Sequence, residues 1–275
     1  MISAHSQSNP QPATVDRTAS QRQDSAAGTG YLLLAALAAL VGGGVSVLAG
    51  MGVLPATGMW GRLAPAHPAL MLLYVVVPAL VSGFGTLWLP RALGRGHMLL
   101  GRLNLAAVGV LATAAVLTCT LADARFAHVL WSVGALMSAM VLLTTIFDSC
   151  ADSLEQTSFS PFVWGEMLSA TVVLLGAPVF AAATLRTWLW PATNPVVGAE
   201  YVAAPVGLIV LLAGFGIVFE MAARIGQVRT RPVAYILATT AATGVVAWAK
   251  SSLAHGAASQ NAQVVGNVLL ALCSL

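Results

Sequence analysis

Three of the five histidines, His67, His128 and His255, stand at or near the ends of long apolar runs. A neutral imidazole offers a nitrogen lone pair to haem iron or another metal. At the end of a membrane helix it can equally be a plain interfacial residue, so each of the three is read both ways. The other two, His5 and His97, fall in a polar N-terminal stretch and in a short loop. Glu166 lies four residues into one apolar run and Glu220 closes another. A charge at the centre of a membrane helix costs roughly 2.5–3.5 kcal/mol on insertion scales. Both acids stand near a predicted membrane surface, so both are expected to reach water rather than to relay protons. Cys119 and Cys273 lie in apolar runs and Cys150 in a predicted loop. Without a CxxC pair they signal neither a c-type haem attachment nor a thiolate metal site. The sequence has no P-loop, GxSxG or HExxH, and its glycine-rich "GTGYLLLAALAALVGGG" follows no strand that would make it a dinucleotide turn.

The elements that must position these residues are membrane helices. Of 275 residues, 58% are hydrophobic and 8% charged, whereas soluble domains carry about a quarter charged residues. Such a chain requires lipid as its solvent. The 12 Lys and Arg are scattered between the apolar runs, a pattern that argues against a nucleic-acid partner. Residues 1–28 are rich in Ser, Gln, Ala and Asp and lack an early apolar run. They are read as a disordered cytoplasmic tail, not a signal peptide. Residues 29–275 form one transmembrane domain. About eight spans are predicted, near 30–54, 67–90, 104–122, 127–147, 162–185, 201–219, 232–249 and 263–275. The last is short and is read as a truncated or re-entrant end. The expected fold is an all-α, polytopic transmembrane helical bundle.

Loop charges give an orientation. With the N-terminus inside, the inner segments hold Arg17, Arg22, Arg91, Arg95, Arg102, Arg224, Arg229 and Arg231. The outer loops hold only Arg62, Arg125, Arg186 and Lys250. The N-terminus is therefore expected to be cytoplasmic, and His67, His128 and His255 fall together on the outer side.

One stretch is more specific. "HPALMLLYVVVPALVSGFGTLWLPRALGRGHMLLGRLN" resembles the second helix, and following loop, of subunit I of the haem–copper oxidases (cytochrome c oxidases). The matching positions are His67, Met71, Pro78, Gly83, Phe84, Gly85, Pro90, Met98, Arg102 and Asn104. "SPFVWGEMLSATVVLLGAPVFAAAT" and "AGFGIVFEMAARIGQVRTRPVAYI" resemble two later segments of that family, and the likeness runs over about residues 30 to 260. The resemblance implies that His67 is an axial ligand of a low-spin haem near the outer face. Such haems take two axial ligands, and His128 or His255 on the same side, or a residue of a partner chain, could be the second. The haem type is left open, because the family's first-helix Arg corresponds to about Gly50.

The departures are as informative. The family's copper-binding His on its sixth helix corresponds to Ala204, in "APVGL", and its copper-binding His pair to Lys250 and Ser251, in "WAKS". Ala has no donor, and an ammonium is a poor copper ligand at neutral pH. No copper is expected. The entrance Asp of the family's proton channel corresponds to His97, and the family helix with the remaining haem ligands lies past residue 275. The resemblance implies one haem and no oxygen reduction by this chain alone: a haem-binding electron-transfer component of a respiratory chain, in effect a pseudo-enzyme. The expected surroundings are the lipid bilayer of a bacterial inner membrane, with other respiratory membrane subunits or a cytochrome as partners. The alternative is a non-catalytic scaffold or assembly partner that keeps the bundle and binds no haem. A shortened, functionless product is a third reading, against which stand the clean apolar runs and the ordered loop charges.

Overall fold

The computed structural model describes residues 13–55, 57–121, 123–151, 159–189, 197–226 and 231–253; side chains at 13–17, 151, 197–204, 231–232, 234–235 and 247–253 are outside the description. Among the described residues seven helices follow one another: α1 (Ala13–Gly50), α2 (Gly58–Ala92), α3 (Gly101–Thr120), α4 (Arg125–Ala151), α5 (Pro161–Leu189), α6 (Val197–Gly226) and α7 (Arg231–Leu253). No strand occurs among the described residues. Among the described residues six helices are long and apolar enough to cross a membrane, with spans at Thr18–Gly50, Gly58–Ala92, Gly101–Thr120, Arg125–Cys150, Pro161–Leu189 and Pro205–Gly226. In lipid a spanning segment must satisfy its own backbone, which helices do. The chain is thus a helical membrane bundle, as the composition predicts. In α7 the described apolar stretch is shorter, Ile236–Val246. The eighth predicted span, 263–275, lies outside the described residues.

The first helix corrects the expected tail. Residues 13–28 are helical and continuous with the span. Asp24 and Ala27 are buried, because the α2–α3 loop folds over this turn. The Asp24 Oδ2 accepts the Met98 backbone N–H at 2.7 Å. Low apolar content made the segment look free, but one buried carboxylate holding a loop N–H suffices to fasten it. That loop starts from a glycine-terminated helix end. Gly94 has φ +68°, Arg95 N–H bonds the Pro90 carbonyl at 2.7 Å and Gly94 N–H that of Arg91 at 3.1 Å. This is the left-handed cap that ends α2, and it carries Arg95 to its ion pair with Asp148 of α4.

The helices pack mainly against their neighbours in sequence, α5 on α6, α4 on α5 and α3 on α4, with α1 lying along α2 and α3. Between α5 and α6 backbone meets backbone. A Cβ added at Gly165 would lie 2.6 Å from the Leu212 carbonyl oxygen and 2.9 Å from Gly216 Cα. Small residues let membrane helices meet backbone to backbone.

Within α2 the middle is wider than an α-helix. Leu70–Val76 and Pro78–Gly83 are π-helical, and Val77 N–H bonds the Leu72 carbonyl five residues back. The next N–H in that register would serve Leu73, but residue 78 is proline and has none. The Trp131 indole of α4 takes its place, donating to the Leu73 carbonyl at 2.7 Å. Both Leu73 and Trp131 are buried.

Candidate functional site

His67 lies on the first turns of α2, at the end of the bundle where α1 finishes and α4 begins. It is half-buried. Pro65 and Pro68 flank it inside the helix. His67, Leu70 and Met71 share one helix face by their spacing, and all three meet α1 at Gly42. The His67 Nδ1 lies 3.1 Å from the Gly42 carbonyl oxygen. A carbonyl only accepts, so Nδ1 carries the proton and donates. In a neutral imidazole this leaves Nε2 as the lone-pair nitrogen. A Cβ on Gly42 would stand 2.9 Å from Met71 Cε and 3.0 Å from Leu70 Cβ. The neighbouring Gly43 and Gly44 have nothing within 4 Å of an added Cβ. The ring is thus tied to α1 through the Gly42 carbonyl. Orientation by a second-site hydrogen bond is how proteins fix a ligating histidine, so the donor chemistry of His67 fits an iron ligand.

His128 lies at the same end of the bundle, one turn into α4. Its Nε2 is buried and has no hydrogen-bond partner among the described residues. The ring rests against Phe180 of α5 at 5.6 Å, and Trp131 meets the same phenylalanine edge-on at 5.8 Å. His67 therefore belongs to the α1–α2 contact and His128 to the α4–α5 contact. His255 lies outside the described residues. His97 is exposed in the α2–α3 loop, with Nδ1 2.9 Å from the Met98 carbonyl oxygen. Ala204 falls in α6, and Lys250 and Ser251 in α7. Cys150, expected in a loop, occupies the last turn of α4 and is exposed; Cys273 is outside the described residues. Among the described residues no group of three or more His, Cys, Asp or Glu is placed to hold a metal ion.

Most other residues of the motif are packing residues, whereas Arg102 is exposed. Pro78, Gly83, Gly85, Pro90, Met98 and Asn104 are all buried. Asn104 joins three helices. Its Oδ1 accepts the Tyr31 hydroxyl of α1 at 2.9 Å, and its Nδ2 donates to Thr86 Oγ1 of α2 at 2.9 Å. Ser138 of α4 donates to Ser82 of α2 at 2.7 Å. Tyr74 of α2 lies 2.8 Å from Thr118 Oγ1 of α3. That threonine donates to the Ala114 carbonyl, so the tyrosine is the donor. These are satisfied buried pairs, which hold register between helices.

The chain is similar to cytochrome c oxidase subunit 1 of Yarrowia lipolytica. The two are 24% identical over 188 residues, which is 55% of this chain and 35% of that protein. No protein-family model matches the chain. The chain thus spans about a third of the length of that relative, and the likeness supports a subunit 1-like helical membrane bundle.

Glu166 corrects an expectation. Its residue is 0% exposed, and neither carboxyl oxygen has a hydrogen-bond partner among the described residues. Position along the span suggested water; the packing of α2 and α4 around α5 removes it. Glu220 is the milder case. Its Oε1 accepts Arg224 Nε at 2.9 Å from the next turn, while its Oε2 is buried without a partner. Sequence reasoning also passed over Trp131 and Asp24. Proline at 78 inside a span was the available sign that some side chain must serve a stranded carbonyl.

Proposed function

We propose that this chain is a cytochrome c oxidase subunit I-like membrane protein that holds one haem through His67 and passes electrons without reducing oxygen by itself. It sits in a bacterial inner membrane with its N-terminus in the cytoplasm, and its partners are other respiratory membrane subunits or a cytochrome. The observation that carries the reading is the His67 ring, whose Nδ1–H is tied to Gly42 and whose Nε2 lone pair is left for iron. A bound haem supplies a one-electron redox centre. The chain's own part is to fix the imidazole tautomer through Gly42. His128, His255 and a residue of a partner chain remain the candidates for the second axial position. Ala204, Lys250 and Ser251 at the copper-ligand positions are the reason oxygen reduction is left out of the reading.

A specific observation also favours the second reading, a scaffold or assembly partner of a respiratory oxidase. Pro78, Gly83, Gly85, Pro90 and Asn104 are buried between helices, so packing alone accounts for their presence. The deciding measurement is a dithionite-reduced minus oxidised visible spectrum of the purified protein beside His67→Ala, with circular dichroism to show that both are folded. Sharp low-spin haem bands that disappear in the variant establish the haem reading. A folded protein without haem bands leaves the scaffold.

A further inference from the structure

The strongest feature outside the His67 site is the carboxyl of Glu166. It lies in the second turn of α5, about 7 Å along the axis from Pro161. Its oxygens face the junction of three helices. A Cβ added at Gly85 of α2 would stand 3.1 Å from Glu166 Oε2 and 2.8 Å from Leu142 Cδ2 of α4. The missing side chain at Gly85 is therefore what makes room for the carboxyl, and Leu142 closes the space. On its other face α5 cannot retreat, because Gly165, the preceding residue, lies backbone to backbone against Gly216 of α6. Among the described residues the carboxyl has no donor, and it has no exposed surface.

An ionised carboxylate in such a place is costly unless it is paired. Among the described residues of α2, α4 and α6, the nearby arginines are engaged or exposed. Arg95 of the α2–α3 loop pairs with Asp148 of α4, and Arg224 of α6 pairs with Glu220. Arg91 of α2 is exposed, and the Arg231 side chain of α7 is outside the description. The residues placed with the carboxyl at this junction, Gly85 and Leu142, carry no charge. Toward the loop, Thr145 of α4 accepts the Leu99 N–H at 3.2 Å and donates to the Val141 carbonyl at 2.7 Å. The loop is thereby tied to α4 about one turn beyond Leu142.

We propose that Glu166 is a proton-binding site inside the bundle, occupied at neutral pH, that exchanges its proton with water only when the α2–α4–α5 junction opens under the α2–α3 loop. The site stands apart from His67, which lies at the opposite end of α2. A glutamic acid held this way is a neutral hydrogen-bond donor in reserve. It becomes a charge when the junction opens, and reclosing the junction requires the proton back.

The test is infrared spectroscopy of the whole protein in liposomes, with glutamate carbon-13 labelling to isolate the carboxyls of Glu155, Glu166, Glu200 and Glu220. At neutral pH a protonated-carboxyl carbonyl band is expected in the labelled wild type and is expected to be missing in Glu166→Gln. That substitution keeps the shape and the neutral state, so the variant should fold with unchanged circular dichroism. On transfer to D2O the band should shift slowly, and faster in Gly94→Ala, which strains the loop's helix cap at φ +68°. Absence of the band at neutral pH overturns the proposal. So does a band that remains in Glu166→Gln, or one that never shifts in D2O, which would mark a sealed structural group. If Glu166→Gln does not fold, the labelled wild type decides by band and exchange alone.

Discussion

Replacing Trp131 by phenylalanine leaves the Leu73 carbonyl without a donor, and the penalty should depend on residue 78. In wild type the indole N–H reaches that carbonyl at 2.7 Å, with Trp131 4% and Leu73 2% exposed. Phenylalanine keeps an aromatic ring against Phe180 but has no N–H. Stranding a buried acceptor costs about 1–3 kcal/mol. Interhelical hydrogen bonds within membranes lie lower, averaging ~0.6 kcal/mol with a maximum near 1.7. A loss of about 1–2 kcal/mol is therefore expected for Trp131→Phe. Pro78→Ala restores the backbone N–H that the π-helical register would aim at Leu73, as Val77 N–H is aimed at Leu72. In that background Trp131→Phe should cost less than half as much. The assay is a double-mutant cycle on reversible unfolding in mixed micelles titrated with SDS. If the two substitutions add to within about 0.3–0.5 kcal/mol, as independent sites do, then Trp131 does not serve the proline's stranded carbonyl and the reasoning fails.

Other perturbations test other joints. Gly165→Ala forces a Cβ to within 2.6 Å of the Leu212 carbonyl; overpacking of this kind costs about 1–3 kcal/mol, seen as a lower unfolding midpoint. Gly43→Ala meets nothing within 4 Å, so the same assay should show no loss, or a gain of up to about 1 kcal/mol from helix propensity. Tyr31→Phe and Asn104→Ala remove opposite ends of one hydrogen bond, so their costs should be non-additive in a cycle. In the α3–α4 loop, the hydrogen bonds from the Arg125 guanidinium hold the Asp123 carboxyl below its ordinary value. A carboxyl lowered on folding stabilises above its unfolded value, and the contribution is lost as pH falls through the folded value. The pair is largely exposed, so the effect should be small and weaken with salt. Unfolding midpoints of wild type and Asp123→Asn should converge at low pH and differ above it.

Much of the bundle was legible in the sequence. Apolar runs of spanning length can only be helices in lipid, so six of the predicted spans correspond to described membrane-length helices. Their edges were less legible. The start of α1 was read as free because its composition is polar, yet Asp24 of that polar stretch ties down the α2–α3 loop. The candidate site was legible in part. The spacing of His67, Leu70 and Met71 put them on one face, while the identity of their neighbour, Gly42 on α1, is a contact between segments far apart in sequence. Whether His67 meets His128 within one site was beyond the reach of spacing, since each histidine belongs to a different helix pair.

Glu166 draws the line between the two levels. The sequence by itself determined that this chain crosses a membrane as helices, because apolar runs of about 20 residues in lipid satisfy nearly all of their backbone by helix formation. It also determined where proline and glycine interrupt those helices. It could not determine which side of each helix is covered, because runs that are apolar all round carry no preferred face. Tertiary packing made that choice. It set Gly85 and Leu142 against Glu166, closing off a carboxyl that its place in the chain had put near water. It set Trp131 under the carbonyl that Pro78 leaves unpaired and turned the Nδ1 of His67 onto Gly42. The deciding quantity in each case is the distance between atoms on different helices, which close packing fixes and local sequence does not.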